Sequence, residues 1–312
     1  MRNVKNYLNL IKFSHTIFAM PFAMIGFFLG VFYPLPRVKT VSLNFGTVWD
    51  KDGIQASYFL STHFISLLLL VLGCMVFARS AAMSFNRWLD ATFDERNPRT
   101  AIREIPAGII SKDNALRFVI FNCFAFVICT WFINPLCFYL SFVALGVVLG
   151  YSYTKRFTPL CHLVLGLGLS LAPIGAYLAV RGQFDILPFM FSLTVIFWVS
   201  GFDIIYALQD EEFDRTQKLY SMPSWLGKEK ALRVSELLHL LSTVCVVFCG
   251  LYGGFGWWYW VGVIIFMGML IYQHAIVKPN DLSRVNIAFM TANGIASVIF
   301  AIFVVADLFL MH

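Results

Sequence analysis

Nine apolar runs constrain this chain more than any other feature, because each is long enough to cross the hydrocarbon core of a bilayer, which takes about 20 helical residues. They lie at 14–33, 57–90, 114–133, 136–154, 159–180, 186–212, 231–253, 257–277 and 286–310. In lipid every backbone N–H and C=O must be bonded within the protein, and separate apolar runs of this length meet that demand as helices. The expected fold is therefore an all-α polytopic membrane protein, nine transmembrane helices in one bundle. Of the 312 residues, 59% are hydrophobic and 13% charged, more apolar surface than a soluble core uses. Pro21 and Pro173 fall within runs and predict kinks, while Asn134-Pro135 and Gly253-Gly254-Phe255-Gly256 read as tight turns. The seven cysteines form no C-x-x-C pair and read as small core residues.

Charge sets the orientation. With the N-terminus in the cytoplasm, eighteen of the 23 Lys and Arg fall in inside segments, four (Arg37, Lys39, Lys51, Arg181) fall outside, and Arg79 stays within a helix. The positive-inside rule then places the N-terminus in the cytoplasm and the C-terminus outside. The basic residues are spread over short loops, so the net charge of +6 argues for topology and against a nucleic-acid partner. The first run is too long for the apolar part of a cleavable signal peptide.

The second and sixth runs continue into polar stretches rich in carboxylates. In Ser84-Phe85-Asn86-Arg87-Trp88-Leu89-Asp90-Ala91-Thr92-Phe93-Asp94, a helix would align Asn86, Asp90 and Asp94 within an arc of about 80°. In Gly201 to Asp214 it would align Asp203, Asp210 and Asp214 within about 40°. The two helices run in the same direction, so both carboxylate faces reach the cytoplasmic side at similar depth. They are also four helices apart, and each precedes a long polar loop. Residues 1–312 thus read as one domain with two similar four-helix halves plus a ninth helix.

Four converging carboxylates repel unless neutralised, and hard oxygen ligands suit Mg²⁺ bound to the phosphates of a substrate. Arg96, Arg99 and Arg103 follow the first motif, Lys155 and Arg156 end the fourth run, and Arg215 and Lys218 follow the second motif. Each is a candidate clamp for a diphosphate; each is also what a solvated, topology-setting loop would carry. Arg79 and Asp203 lie seven residues before Asn86 and Asp210, about 10 Å deeper on the same faces. Intramembrane charges are paired or occupied. Two readings stand: Arg79 binds a substrate carboxylate with Asp203 beside it, or the two form an ion pair tying the helices together. The histidines show no pairing with a carboxylate at helical spacing and read as polar contacts, with His15 the one to watch.

Asn86-x-x-x-Asp90-x-x-x-Asp94, with the following Thr100-x-x-Arg103-x-x-Pro106-x-Gly108, resembles the first aspartate-rich motif and loop of the UbiA superfamily of membrane prenyltransferases. Asp203-x-x-Tyr206-Ala207-x-x-Asp210-x-x-x-Asp214 resembles its second motif, and Tyr151-x-x-x-Lys155-Arg156 the segment between them. The motifs come in the family's order and cover nearly the whole chain. Arg87 stands where many members have Asp, which bears on the affinity of one metal. The pattern is most similar to the 4-hydroxybenzoate polyprenyltransferase group, including menaquinone-pathway relatives that prenylate a naphthoate. A CDP-alcohol phosphotransferase would carry a D-G-x-x-A-R signature, which is absent, and a transporter would place its ionisable groups near mid-membrane.

The resemblance implies Mg²⁺ held by Asp90, Asp94, Asp210 and Asp214 with Asn86 assisting, beside substrate contacts from Arg103, Lys155, Arg156 and Lys218; Arg79 and Asp203, which the motifs do not explain, stay open between substrate contacts and an ion pair. It implies a polyprenyl diphosphate and an aromatic acid as substrates, at a site facing the cytoplasm. Ionisation of an allylic diphosphate leaves a carbocation, which a tyrosine face stabilises; Tyr151, Tyr153 and Tyr206 are the candidates.

Overall fold

The computed structural model of the protein describes residues 2–12, 18–33 and 62–310. His15, the start of the first apolar run, and the outside-loop residues Arg37, Lys39 and Lys51 lie outside the described residues. Helix follows helix, and no strand occurs among the described residues. The order is α1 (Arg2–Leu10), α2 (Met20–Phe32), α3 (Thr62–Leu89), α4 (Ala91–Arg96), α5 (Lys112–Ile133), α6 (Pro135–Thr154), α7 (Cys161–Arg181) and α8 (Ile186–Ala207), then α9 (Glu211–Thr216), α10 (Met222–Leu226), α11 (Lys228–Gly253), α12 (Trp257–Ile276) and α13 (Asn293–Leu310). Eight helical stretches among them are long and apolar enough to span a membrane, and Met20–Phe32 is a further, shorter apolar helix.

Local chemistry sets the boundaries. Asn134 accepts a hydrogen bond from the Cys137 amide while Pro135 occupies the first helical turn, so α5 stops and α6 starts within one residue. Gly182 ends α7 with φ 67°, a left-handed conformation that glycine adopts without steric cost, and the Asp185 side chain then caps α8. Pro21 departs from expectation: it sits in the first turn of α2, where its missing N–H costs no hydrogen bond, and begins the helix without kinking it. Pro173 does lie inside α7.

Helix α8 is the axis of the fold. Its span is 67% buried, against 22% for α5 and 17% for α6, whose Phe121, Phe124, Trp131, Phe132 and Phe142 face outward toward lipid. Trp198 on α8 is fully buried and packs on Phe22 of α2 at 5.3 Å and on Phe266 of α12 at 6.0 Å. Its indole N–H donates to Asn293 Oδ1 at the start of α13 at 2.9 Å. Hydroxyls tie the same axis to its neighbours: Ser192 donates to the Ser170 carbonyl (2.8 Å), Ser235 to Gly201 (2.7 Å) and Ser242 to Thr194 (3.0 Å). Small residues and hydroxyl bridges of this kind let helices pack where lipid supplies no hydrophobic drive between them. Gly26 marks the closest approach of α2 to α7, since a Cβ there would lie 2.0 Å from the Pro173 carbonyl oxygen.

Candidate active site

Both carboxylate motifs break their helices where a continuous helix was expected. Asp90 leaves α3 with φ −90° and ψ 5° and caps the short α4, although the bonds Asp90 N to Asn86 O and Asp94 N to Asp90 O keep the helical spacing. In the second motif a 3₁₀ turn, Leu208–Asp210, separates α8 from α9. Asp203, Asp210 and Asp214 nevertheless all line the same cavity. Apolar side chains give way to polar ones at both breaks, so the core no longer demands one continuous apolar stripe.

The two motifs meet at one end of the bundle and line one cavity of about 720 Å³. Each of the four aspartates has its own cation. Asp90 Oδ1 is 2.9 Å from Arg156 Nη2, and its Oδ2 accepts from Asn86 Nδ2 at 3.1 Å. Asp94 is buried and takes Arg103 Nη1 at 2.6 Å. Arg99 grips Asp210 with both Nε and Nη2, and Asn97 adds a third donor at 3.3 Å. Lys155 Nζ sits 2.7 Å from Oδ1 of the fully buried Asp214 in an ion pair. Four of the seven basic residues read as diphosphate clamps, Arg99, Arg103, Lys155 and Arg156, are in this arrangement the counter-ions of the carboxylates; Arg96 instead donates to Gln217 Oε1 at 3.4 Å.

Electrostatics follow from this pairing. Burial pushes the Asp90 carboxyl above the ordinary carboxylate range, against the pull of Arg156. Burial alone would lower Lys155, yet the Asp214 charge outweighs it and holds the ammonium above the ordinary lysine value. Arg87, which stands beside Asn86 where many members have Asp, is buried with Nη1 3.9 Å from Asp94 Oδ2. Asp94 thus lies between two guanidinium groups.

The remaining candidates separate. Tyr151 and Tyr206 line the cavity, and Tyr206 accepts a hydrogen bond from Arg99 Nη1 at 2.9 Å. Tyr153 does not line it: it is half exposed, packs on Phe85 at 5.8 Å, and meets the site through Arg156, whose Cζ lies 5.7 Å from the ring centroid. Lys218 is exposed at a left-handed turn, φ 55°, and does not line the cavity. Arg79 and Asp203 both line it, but the ion pair between them is not formed. Asp203 is held instead by His162 Nδ1 at 2.7 Å, and Arg79 Nη2 lies 3.5 Å from the Lys12 carbonyl. Asn97 and His162 are the site residues that motif reading passed over; neither carries a spacing signal of its own.

The donor set suits a hard cation. Asp94 Oδ2 is buried without a hydrogen-bond partner, and carboxylate and amide oxygens are what Mg²⁺ prefers. Among the described residues, however, no three His, Cys, Asp or Glu side chains gather closely enough to hold an ion by themselves. A metal here needs further oxygen ligands, which phosphates supply. Below the charged mouth the cavity turns apolar and reaches Cys137, Leu178 and Phe184 at the far ends of α6 and α7.

A polytopic helical bundle with an acidic, cation-paired mouth over an apolar cavity is an intramembrane enzyme for a substrate with one charged end and one greasy end. The UbiA prenyltransferase family model matches residues 54–295, and the chain belongs to that family; it is a transferase of prenyl groups. A relative from Francisella tularensis subsp. mediasiatica, named 4-hydroxybenzoate octaprenyltransferase, is 30% identical over 241 residues, 77% of this chain and 84% of the relative. One of the same name from Tolumonas auensis is 29% identical over 76% of this chain and 82% of its own length. The fold is similar to the apo structure of a UbiA homolog from Aeropyrum pernix K1 (TM-score 0.74, 25% identity, 95% of this chain and 98% of that one). It is also similar to a UbiA homolog from Archaeoglobus fulgidus bound to DMAPP and Mg²⁺ (TM-score 0.68, 18% identity, 97% and 99%).

Proposed function

We propose that this protein transfers a polyprenyl group from polyprenyl diphosphate to a ring carbon of an aromatic acid, 4-hydroxybenzoate, in quinone biosynthesis. The observation that carries the reading is the junction of the two aspartate motifs above an apolar cavity; the names of the curated relatives support the acceptor. The full chain is read as one catalytic domain of nine spans, two four-helix halves and a ninth helix. Its N-terminus and active site face the cytoplasm across the inner membrane.

Asp90, Asp94, Asp210 and Asp214, with Asn86, would hold Mg²⁺, which when bound neutralises the departing diphosphate. Arg103, Arg156, Arg99 and Lys155 then exchange their carboxylates for phosphate oxygens, so the same cations serve the resting and the loaded site. Tyr151 and Tyr206, which line the cavity, are the rings placed to stabilise the allylic carbon as it becomes cationic, Tyr206 once Arg99, now 5.3 Å from its centroid, turns to the diphosphate. The apolar wall from Val148 down to Leu178 takes the prenyl tail and keeps water from the cation. Arg79, deeper on the wall, offers a guanidinium to the acceptor carboxylate. The test is an assay on purified membranes pairing 4-hydroxybenzoate with a labelled prenyl diphosphate. Mg²⁺-dependent formation of a prenylated acid is expected, and no product with any hydroxylated aromatic acid would defeat the reading.

A further inference from the structure

His162, read from sequence as a plain polar contact, has two partners that decide where its proton sits. It lies in the first turn of α7, 3% exposed. Helix α8 comes close there because Gly166 has no side chain: a Cβ on it would lie 2.6 Å from the Ile196 carbonyl oxygen. The Met222 backbone N–H, at the start of α10, points at His162 Nε2 at 3.2 Å. An amide N–H only donates, so Nε2 carries the lone pair and the imidazole is neutral with its proton on Nδ1. A second proton on Nε2 would set N–H against N–H. Nδ1, 2.7 Å from Asp203 Oδ2, is therefore the donor in that contact.

Asp203 is left with one oxygen engaged and one open. Among the described residues Oδ1 has no protein partner, and the side chain lines the cavity with 24% of its surface exposed. A carboxylate fixed by a single donor and facing a cavity with apolar walls calls for a second donor, because a buried polar group left unpaired is costly. The site above it is occupied by charge pairs; the wall beside it carries Arg79 and Tyr151. A ligand with a carboxylate at one end and a hydroxyl at the other matches Arg79 and Asp203 in turn.

We propose that His162 is a positioning residue for the acceptor: it holds Asp203 so that Oδ1 accepts the hydrogen bond of the ring hydroxyl of the aromatic acid. This rests on the reading above that the acceptor is a hydroxylated aromatic acid. The support extends to the other substrate's side. The segment carrying Met222 also bonds the α6 end through Tyr220 N to Lys155 O at 2.7 Å, and Cys161 Sγ donates to Tyr220 O at 3.5 Å. One loop thus braces both the lysine at the mouth and the histidine under the acceptor.

The experiment compares the affinities of 4-hydroxybenzoate and benzoate, which differ by the hydroxyl alone, by calorimetry on the full chain in detergent. Wild type should prefer the hydroxylated acid by about tenfold or more, the worth of one hydrogen bond to a charged group. His162→Leu should bring the ratio near one while geranyl diphosphate affinity changes less than about twofold. His162→Asn, which keeps an N–H near the Nδ1 position, should restore much of the preference. A His162→Leu protein that keeps the full preference overturns the proposal, as does equal weakening toward geranyl diphosphate. If His162→Leu does not accumulate as folded protein, His162→Gln, whose amide reaches toward the Nε2 and not the Nδ1 position, is judged by the same two outcomes, and an unchanged ratio in Asp203→Ala also overturns the proposal. Wild type that binds neither acid overturns the aromatic-acid reading, and the proposal with it, which keeps the two failures apart.

Discussion

Arg99 closes on Asp210 with two parallel donors, Nε at 3.0 Å from Oδ1 and Nη2 on Oδ2, and so locks the loop after the first motif onto the second. A bidentate guanidinium–carboxylate pair is among the stronger polar contacts a protein makes. That this contact joins two carboxylate motifs more than a hundred residues apart means the mouth is assembled before any substrate arrives.

The pairing predicts that metal and diphosphate bind as partners. A divalent ion arriving alone has to displace a guanidinium or ammonium into the cavity, and no three-carboxylate cluster among the described residues compensates it. A diphosphate takes up the released cations, so each ligand should favour the other by the same factor. Mn²⁺ binding followed by electron paramagnetic resonance should tighten at least about tenfold on adding inorganic pyrophosphate, about 1.4 kcal/mol of coupling. Equal Mn²⁺ affinity with and without pyrophosphate, after allowing for the complex formed in solution, would refute the exchange.

Asp214 and Lys155 predict an asymmetric stability pattern. Asp214 is fully buried whereas the Lys155 side chain keeps 35% of its surface exposed. Lys155→Met strands a buried carboxylate and should cost about 3–5 kcal/mol. Asp214→Ala strands an ammonium that can still reach water and should cost about 1–3 kcal/mol. The double variant should be more stable than Lys155→Met alone, with all three inactive. Thermal unfolding in detergent reads the order, and a double variant no more stable than Lys155→Met would show that the charges are not coupled.

Arg79 predicts a split between the substrates. It lines the cavity well below the carboxylates, and its guanidinium fork matches a carboxylate in a way an ammonium does not. Arg79→Lys should raise KM for the aromatic acid about tenfold or more, one charged hydrogen bond's worth, with KM for the prenyl diphosphate nearly unchanged. Equal increases for both substrates would remove Arg79 from the acceptor pocket.

What the sequence exposed of this site was spacing; what it concealed was partnership. Asn86, Asp90 and Asp94 stand out because helical spacing and the cost of charge beside lipid are both written in one dimension. That Arg156 belongs to Asp90 and Lys155 to Asp214 is set by how α6 leans on α3 and α9, which no spacing records. The helix breaks at Asp90 and Leu208–Asp210 were hidden because the residues there are compatible with helix, and only the packing of the mouth selects the turn. Tyr153 falls outside the cavity lining for a related reason: two residues from Tyr151 on a helix turns a ring through about 200°. His162 carried no signal at all, since its partners Asp203 and Met222 are 41 and 60 residues away.

The depth of the cavity predicts a limit on tail length that a single residue sets. Gly175 lines the cavity on α7, and a Cβ built on it meets nothing within 4 Å, so a large side chain there would project into open space and not into packed neighbours. It lies fourteen residues beyond Cys161, about 21 Å along the helix from the charged mouth. A two-unit geranyl tail ends above that depth, whereas an eight-unit tail has to pass it. Gly175→Trp should therefore leave turnover of geranyl diphosphate within about threefold of wild type and depress octaprenyl diphosphate turnover by about a hundredfold, the worth of roughly 2.7 kcal/mol of blocked binding. Competition between the two diphosphates in one reaction gives the ratio directly. An unchanged ratio would mean that the tail leaves the cavity before it reaches α7's far half, through the side of the bundle.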